Sequence, residues 1–115
     1  MKITEIKPPR KFQVSSIGIS PCANIEMSPD EQVTFVTESG KEYDVMRKSW
    51  GYFATPSINN RLKNSGFKTA LIKDKSGKLF VCLIEEEKVK EFQLYLQKEQ
   101  GIIRCWLSGN LDEMQ

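Results

Sequence analysis

Phe67-Lys68-Thr69-Ala70-Leu71-Ile72-Lys73, then Asp74-Lys75-Ser76-Gly77-Lys78, then Leu79-Phe80-Val81-Cys82-Leu83-Ile84, is the stretch on which the fold turns. Two runs rich in β-branched, aromatic and long aliphatic residues flank a cluster of turn residues. That pattern predicts a hairpin with a three- to five-residue turn. The second run is apolar at six consecutive positions, so it has no polar face. Such a run predicts a central strand covered on both sides, or a barrel strand against a helix.

Toward the C-terminus, Glu85-Glu86-Glu87 places negative charge where a helix would begin, and the helix dipole favours it there. Val89, Phe92 and Leu96 recur at helical spacing, with Tyr95 adjoining. A helix over about 86–100 follows, ended by Gly101. Ile102 to Leu107, carrying Trp106, predicts a last strand. The polar residues 108–115 form a tail expected to fray.

Toward the N-terminus, Thr55-Pro56 reads as a helix start. Threonine can accept from free backbone N–H groups, and proline suits the first helical position. Ile58 and Leu62 share a face. Gly66 suits the left-handed stop, with Leu62 and Phe67 as the apolar pair beside it. The predicted helix therefore covers about 56–65. Trp50 to Ala54 reads as extended. Gln32 to Glu38 alternates apolar and polar, as does Lys41 to Met46. Ser39-Gly40 between them predicts a two-residue hairpin in which Glu38 faces Lys41 and Val36 faces Tyr43. Ala23 to Met27 is a short strand, and Ser28-Pro29-Asp30-Glu31 a turn. Phe12 to Ile19 reads as one strand kinked at Gly18. Pro8-Pro9 forbids helix in the extended arm 1–11.

These elements predict an α+β fold in a single domain, 1–115. Its antiparallel, hairpin-rich sheet is strongly bent or forms a small open barrel, with two helices. At 115 residues the chain is long enough for a real core. No apolar run approaches the roughly 18 residues that span a bilayer. No signal-peptide pattern opens the chain. Three widely spaced cysteines, Cys22, Cys82 and Cys105, read as buried reduced thiols, and the expected location is the cytoplasm.

Histidine is absent, which excludes histidine triads, histidine acid–base catalysis and the common zinc sets. No phosphate loop or dinucleotide-binding glycine pattern is present. Each cysteine sits in or beside an apolar stretch with no histidine to activate it. Glu42 and Asp44 share a strand face and read as a solvated face rather than an acid/base pair. Glu85-Glu86-Glu87 reads as a helix start rather than a magnesium site. No catalytic residue, metal or cofactor is assigned, and the enzyme reading is disfavoured.

Charge is the other signal. The net value is +2, but it is unevenly spread. Residues 26–46 hold six acids and one lysine, net −5. Residues 47–78 hold eight Lys/Arg against Asp74 alone, net +7. At the centre of that basic block lies Trp50-Gly51-Tyr52-Phe53-Ala54-Thr55-Pro56-Ser57-Ile58-Asn59-Asn60-Arg61. Arg61 can hold a carboxylate or phosphate with two bonds. Thr55, Ser57 and the helix N-terminus would assist. Asn59 and Asn60 would read hydroxyls, and Trp50 or Tyr52 would stack on a ring. A second reading of the same residues stands beside it: Trp50 and Tyr52 as core, with Thr55 merely a cap.

Trp50 to Ser57, Asn59 or Asn60 before Arg61-Leu62, and Gly66-Phe67-Lys68-Thr69-Ala70-Leu71 resemble a small uncharacterised bacterial family. That family is associated with gene clusters for surface polysaccharides and nine-carbon acidic sugars. Thr34-Phe35-Val36-Thr37 and Glu42-Tyr43-Asp44-Val45 are also similar, so the resemblance spans roughly 28–100. It implies no established activity and points to an accessory protein of carbohydrate metabolism. The expected function is non-catalytic binding of a small anionic ligand: a sugar acid, sugar phosphate or nucleotide-sugar. The alternative is a nucleic-acid or protein interaction module using the basic 47–78 face.

Overall fold

The computed structural model describes residues 1–8, 12–14 and 17–109. The fold is α+β, antiparallel and not a closed barrel. It comprises strands β1 (Lys2–Glu5), β2 (Phe12–Val14), β3 (Ile17–Ile19), β4 (Ala23–Glu26), β5 (Gln32–Val36), β6 (Glu42–Lys48) and β7 (Gly51–Ala54). Helix α1 (Arg61–Asn64), β8 (Phe67–Lys73), β9 (Leu79–Glu85), α2 (Val89–Glu99) and β10 (Ile102–Trp106) follow. One 3-10 turn, Glu86–Lys88, leads into α2. The chain divides into two compact units, 1–34 with 44–55, and 35–43 with 56–115.

In the first unit β1 pairs with β4, Lys2 opposite Glu26 through Glu5 opposite Ala23. The predicted extended arm 1–11 is a paired strand over Lys2–Glu5 and bends at Lys7 and Pro8; residues 9–11 lie outside the described residues. The predicted single strand kinked at Gly18 is instead two strands, β2 and β3, paired antiparallel with Gln13 opposite Gly18. The apolar alternation of Phe12 and Val14 resumes out of step at Ile17 and Ile19. Residues 15 and 16 lie outside the described residues. β6 and β7 form another hairpin, with Lys48 opposite Gly51 and Val45 opposite Ala54.

The second unit is built on a three-stranded sheet in the order β10-β8-β9. β8 and β9 pair without interruption from Phe67–Glu85 to Lys73–Leu79. β10 shifts register between Ile103 and Cys105. Such a bulge bends a sheet. α2 covers one face, where Ala70, Ile72, Ile84 and Leu96 form the buried core with Phe92, Val89 and Trp106 against it. The central strand is therefore β8. The apolar run of β9 predicts the central position for itself, but it lies at the edge, and Leu79, Phe80 and Val81 are exposed. In β9 hydrophobicity on both faces reports neither burial nor position, because pairing order is decided by non-local contacts that no local pattern encodes.

The helix at 86–100 forms as the periodicity predicts, but Gln100 rather than Gly101 takes the left-handed stop, at φ 60°. Gly101 answers a different need: a Cβ there would stand 3.1 Å from Leu96 Cδ2. The first helix is shorter than its sequence predicts, starting at Arg61 rather than Pro56. Ser57, not Thr55, organises its start. The Ser57 hydroxyl accepts from the Arg61 N–H at 2.8 Å and its carbonyl from the Leu62 N–H at 2.9 Å. The helix stop follows the prediction in part. Gly66 has φ 99° and its N–H donates to the Lys63 carbonyl, while the Ser65 hydroxyl donates to the Leu62 carbonyl at 2.8 Å. Leu62 and Phe67 are both buried. At the chain's end Ser108 is buried as well; the tail from 110 on lies outside the described residues.

Candidate functional site

The residues predicted to bind divide between the units. Trp50, Tyr52 and Thr55 belong to the first; Ser57, Asn59, Asn60 and Arg61 belong to the second.

In the first unit the β6–β7 hairpin turns through Ser49-Trp50, which lifts Trp50 to its tip. Trp50 is 68% exposed, Tyr52 65% and Phe53 48%. These aromatics are not core. Trp50 and Phe53 meet edge to face with ring centroids 6.4 Å apart. The register puts Arg47 opposite Tyr52, and the guanidinium lies 5.7 Å from the centre of the Tyr52 ring. Arg47 Nη1 also donates to the Gly51 carbonyl at 3.2 Å, which fixes the guanidinium on the hairpin. The result is an exposed Tyr52 with a cation held against it, and beside it an exposed Trp50–Phe53 pair. Arg47 is absent from the residue set predicted from sequence. The signal for Arg47 is its spacing: a two-residue turn at 49–50 makes position 47 the cross-strand neighbour of 52. Thr55 is not a cap. Its N–H continues the ladder to the Asp44 carbonyl at 3.2 Å, and its Oγ1 is buried without a hydrogen-bond partner among the described residues. Asp44 accepts from the Thr34 hydroxyl at 2.6 Å.

In the second unit Ser57, Asn59, Asn60 and Arg61 are all exposed. Ser57 is engaged with the Arg61 N–H, and Asn60 Oδ1 accepts from Asn64 Nδ2 at 2.8 Å. Both therefore serve the turn into α1. A single helical turn has little dipole to offer an anion, because the macrodipole sums aligned peptides. The basic block divides likewise: Arg47 and Lys48 lie in the first unit, Arg61 and Lys63 to Lys78 in the second.

The second unit holds a further polar cluster that the sequence did not mark. Glu85 Oε1 accepts from the Ser39 hydroxyl at 2.5 Å and from the Thr37 hydroxyl at 3.4 Å. Lys88 stands 3.2 Å from Glu85 Oε2, and Lys41 pairs with Glu87 at 2.6 Å. The Ser39 hydrogen bond, then that of Lys88, holds the Glu85 carboxyl below the ordinary glutamate range. The bond to Glu87 lifts Lys41 above the ordinary lysine range. Beside this cluster is an open cleft of about 370 Å³, with Phe67, Leu83, Phe92 and Tyr95 along it and Thr37, Glu85 and Glu91 at its rim.

Cys22 is exposed, unlike the buried thiol its neighbours predict, while Cys82 and Cys105 are half-buried; all three are free. Burial pushes the Cys82 thiol up, away from reactivity. Among the described residues no group of three His, Cys, Asp or Glu could hold a metal ion, and no helix is long and apolar enough to cross a membrane. No protein-family model, curated protein or solved structure matches the chain.

Proposed function

We propose that the chain is a non-catalytic binding module for a small anionic ligand that presents a flat ring or sugar face. A sugar acid, sugar phosphate or nucleotide-sugar has that chemistry. One observation carries the reading: Trp50 and Tyr52 stand out in solvent on the β6–β7 hairpin with the Arg47 guanidinium against Tyr52. Exposed aromatic surface gains free energy only when something covers it. A ring stacked on such a side chain contributes about 1–3 kcal/mol, and a guanidinium beside it pairs with carboxylate or phosphate through two bonds. The cation in this reading is Arg47 rather than Arg61, because Arg47 shares a hairpin with the aromatics. The resemblance of residues 50–71 to proteins of acidic-sugar gene clusters points to an accessory role in carbohydrate metabolism. Three free thiols support a reducing cytoplasm as its setting.

Isothermal titration calorimetry against nucleotide-sugars and nine-carbon acidic sugars tests the proposal. Binding is expected, with Trp50→Ala and Arg47→Ala each weakening it about tenfold, the equivalent of 1.4 kcal/mol. No heat across the whole panel, or equal affinity in Trp50→Ala, would overturn it. A second reading, a single-stranded nucleic acid laid along the hairpin, is favoured by how openly the three aromatics are displayed. It predicts oligonucleotide binding that weakens steeply with salt.

A further inference from the structure

β9 is an edge strand that lacks the usual protection of one. In the order β10-β8-β9, no described strand pairs with its outer side. Natural edges are blunted by lysine, proline, bulges or shortness. Leu79 to Ile84 has no charge and no proline, and its pairing with β8 runs without a bulge. Leu79, Phe80 and Val81 are 59%, 51% and 62% exposed. The open cleft continues the same strand, with Leu83 and Glu85 on its β9 side. A run of backbone donors and acceptors flanked by exposed apolar side chains is a template for another strand.

We propose that the strand it receives is β9 of a second copy, paired antiparallel about a two-fold axis at Val81. The charge layout selects this occupant. One end of β9 leaves a turn carrying Lys75 and Lys78 against Asp74, net +1; the other runs into Glu85, Glu86 and Glu87. Antiparallel self-pairing lays each basic end along the other copy's acidic end, with Lys41 and Lys88 offsetting only part of the acidic charge. Parallel self-pairing would stack like on like. A two-fold perpendicular to the sheet keeps faces matched, so Val81 meets its own symmetry mate, Leu79 meets Leu83, and Phe80 meets Cys82. Every cross-strand pair is apolar. The two three-stranded sheets would join into one, which removes the exposed edge from both copies.

Analytical ultracentrifugation of the full chain, from micromolar to near-millimolar concentration, is expected to show a monomer–dimer equilibrium that weakens in about 1 M salt, where charges are screened within ~3 Å. Val81→Lys should give a monomer at every concentration with an unchanged circular dichroism spectrum, since the position is exposed. Val81→Cys with Cys82→Ser reads the same contact without adding charge. Residues opposite one another in an antiparallel pair lie about 4.5–5.5 Å apart at Cα, within disulfide reach, so oxidation should link position 81 of one copy to position 81 of the other. A chain that is monomeric throughout, a dimer that survives Val81→Lys, or a dimer that gives no such crosslink would each overturn the proposal.

Discussion

Thr69 is 2% exposed and its Oγ1 has no hydrogen-bond partner among the described residues. It sits on the central strand opposite Leu83. A buried hydroxyl without a partner loses its hydration and gains nothing in exchange. Thr69→Val keeps the shape and removes the cost, so it should raise unfolding free energy by about 1 kcal/mol, read from urea denaturation at constant slope. An equal or lower midpoint would mean that the hydroxyl is satisfied. At this scale the sequence was legible where one residue does one local job. Gly66 ends α1, and Leu62 and Phe67 are buried beside it. It was not legible for Trp50 and Tyr52, because core and ligand-stacking aromatics have the same composition and alternation. Only the fold says which side of the hairpin meets water. Thr55 misled for a related reason: Thr-Pro is a good helix start in isolation, but Ser57, two places on, offered its hydroxyl to the Arg61 N–H instead.

Two turns in the second unit use the same chemistry. In Thr37-Glu38-Ser39-Gly40-Lys41, the Thr37 N–H donates to the Lys41 carbonyl and the Gly40 N–H to the Thr37 carbonyl, each at 2.9 Å. In Asp74-Lys75-Ser76-Gly77-Lys78, the equivalent bonds are 2.9 and 3.1 Å. The first side chain of each turn also accepts the lysine N–H, at 3.1 Å to Thr37 Oγ1 and 2.9 Å to Asp74 Oδ1. The Ser76 hydroxyl, then the Lys78 N–H, holds the Asp74 carboxyl below the ordinary aspartate range. Each turn closes through a left-handed glycine, Gly40 at φ 89° and Gly77 at φ 90°. The second loop matches the length its sequence predicts. The first is one residue longer than its sequence predicts: Ser-Gly resembles a two-residue turn, yet Thr37 rather than Glu38 faces Lys41. The comparison that settles it lay within the chain, in the repeated x-S-G-K after an oxygen-bearing residue. A Cβ at Gly77 would come no closer than 3.9 Å to a neighbour, so Gly77→Ala carries a purely backbone cost. That cost is about 1–2 kcal/mol, partly offset by a stiffer unfolded chain. Gly77→Ala and Gly40→Ala should each lower the urea midpoint by a similar amount, with Gly77→Asn milder than Gly77→Ala. Unequal losses would mean that the turns are not equivalent.

Across the whole molecule, burial is unequal. Every buried hydrophobic residue among those described, Leu62, Phe67, Ala70, Ile72, Ile84 and Leu96, lies in the second unit. Local opening is cheapest where few apolar contacts resist it. Amide hydrogen exchange should therefore be slowest along Thr69 to Ile72 of β8, which is paired on both sides, and faster in the β1–β4 and β6–β7 pairs. Equal protection in β6–β7 and β8 would refute that gradient. The α+β class was legible from periods of two and 3.6 residues in the chain. The division into units was not, because β5 and β6 each contribute to both, and no linker composition marks the boundary. The two tryptophans fall one to each unit. Trp50 stands in water at a hairpin tip, and Trp106 lies half-buried with Lys68 Nζ 4.9 Å from its ring centre. The chain thus carries a separate natural fluorophore in each part. Replacing either by phenylalanine leaves a tryptophan emission, excited selectively over the tyrosines, that follows one unit alone, so whether the two parts melt together or in turn can be read without any added label.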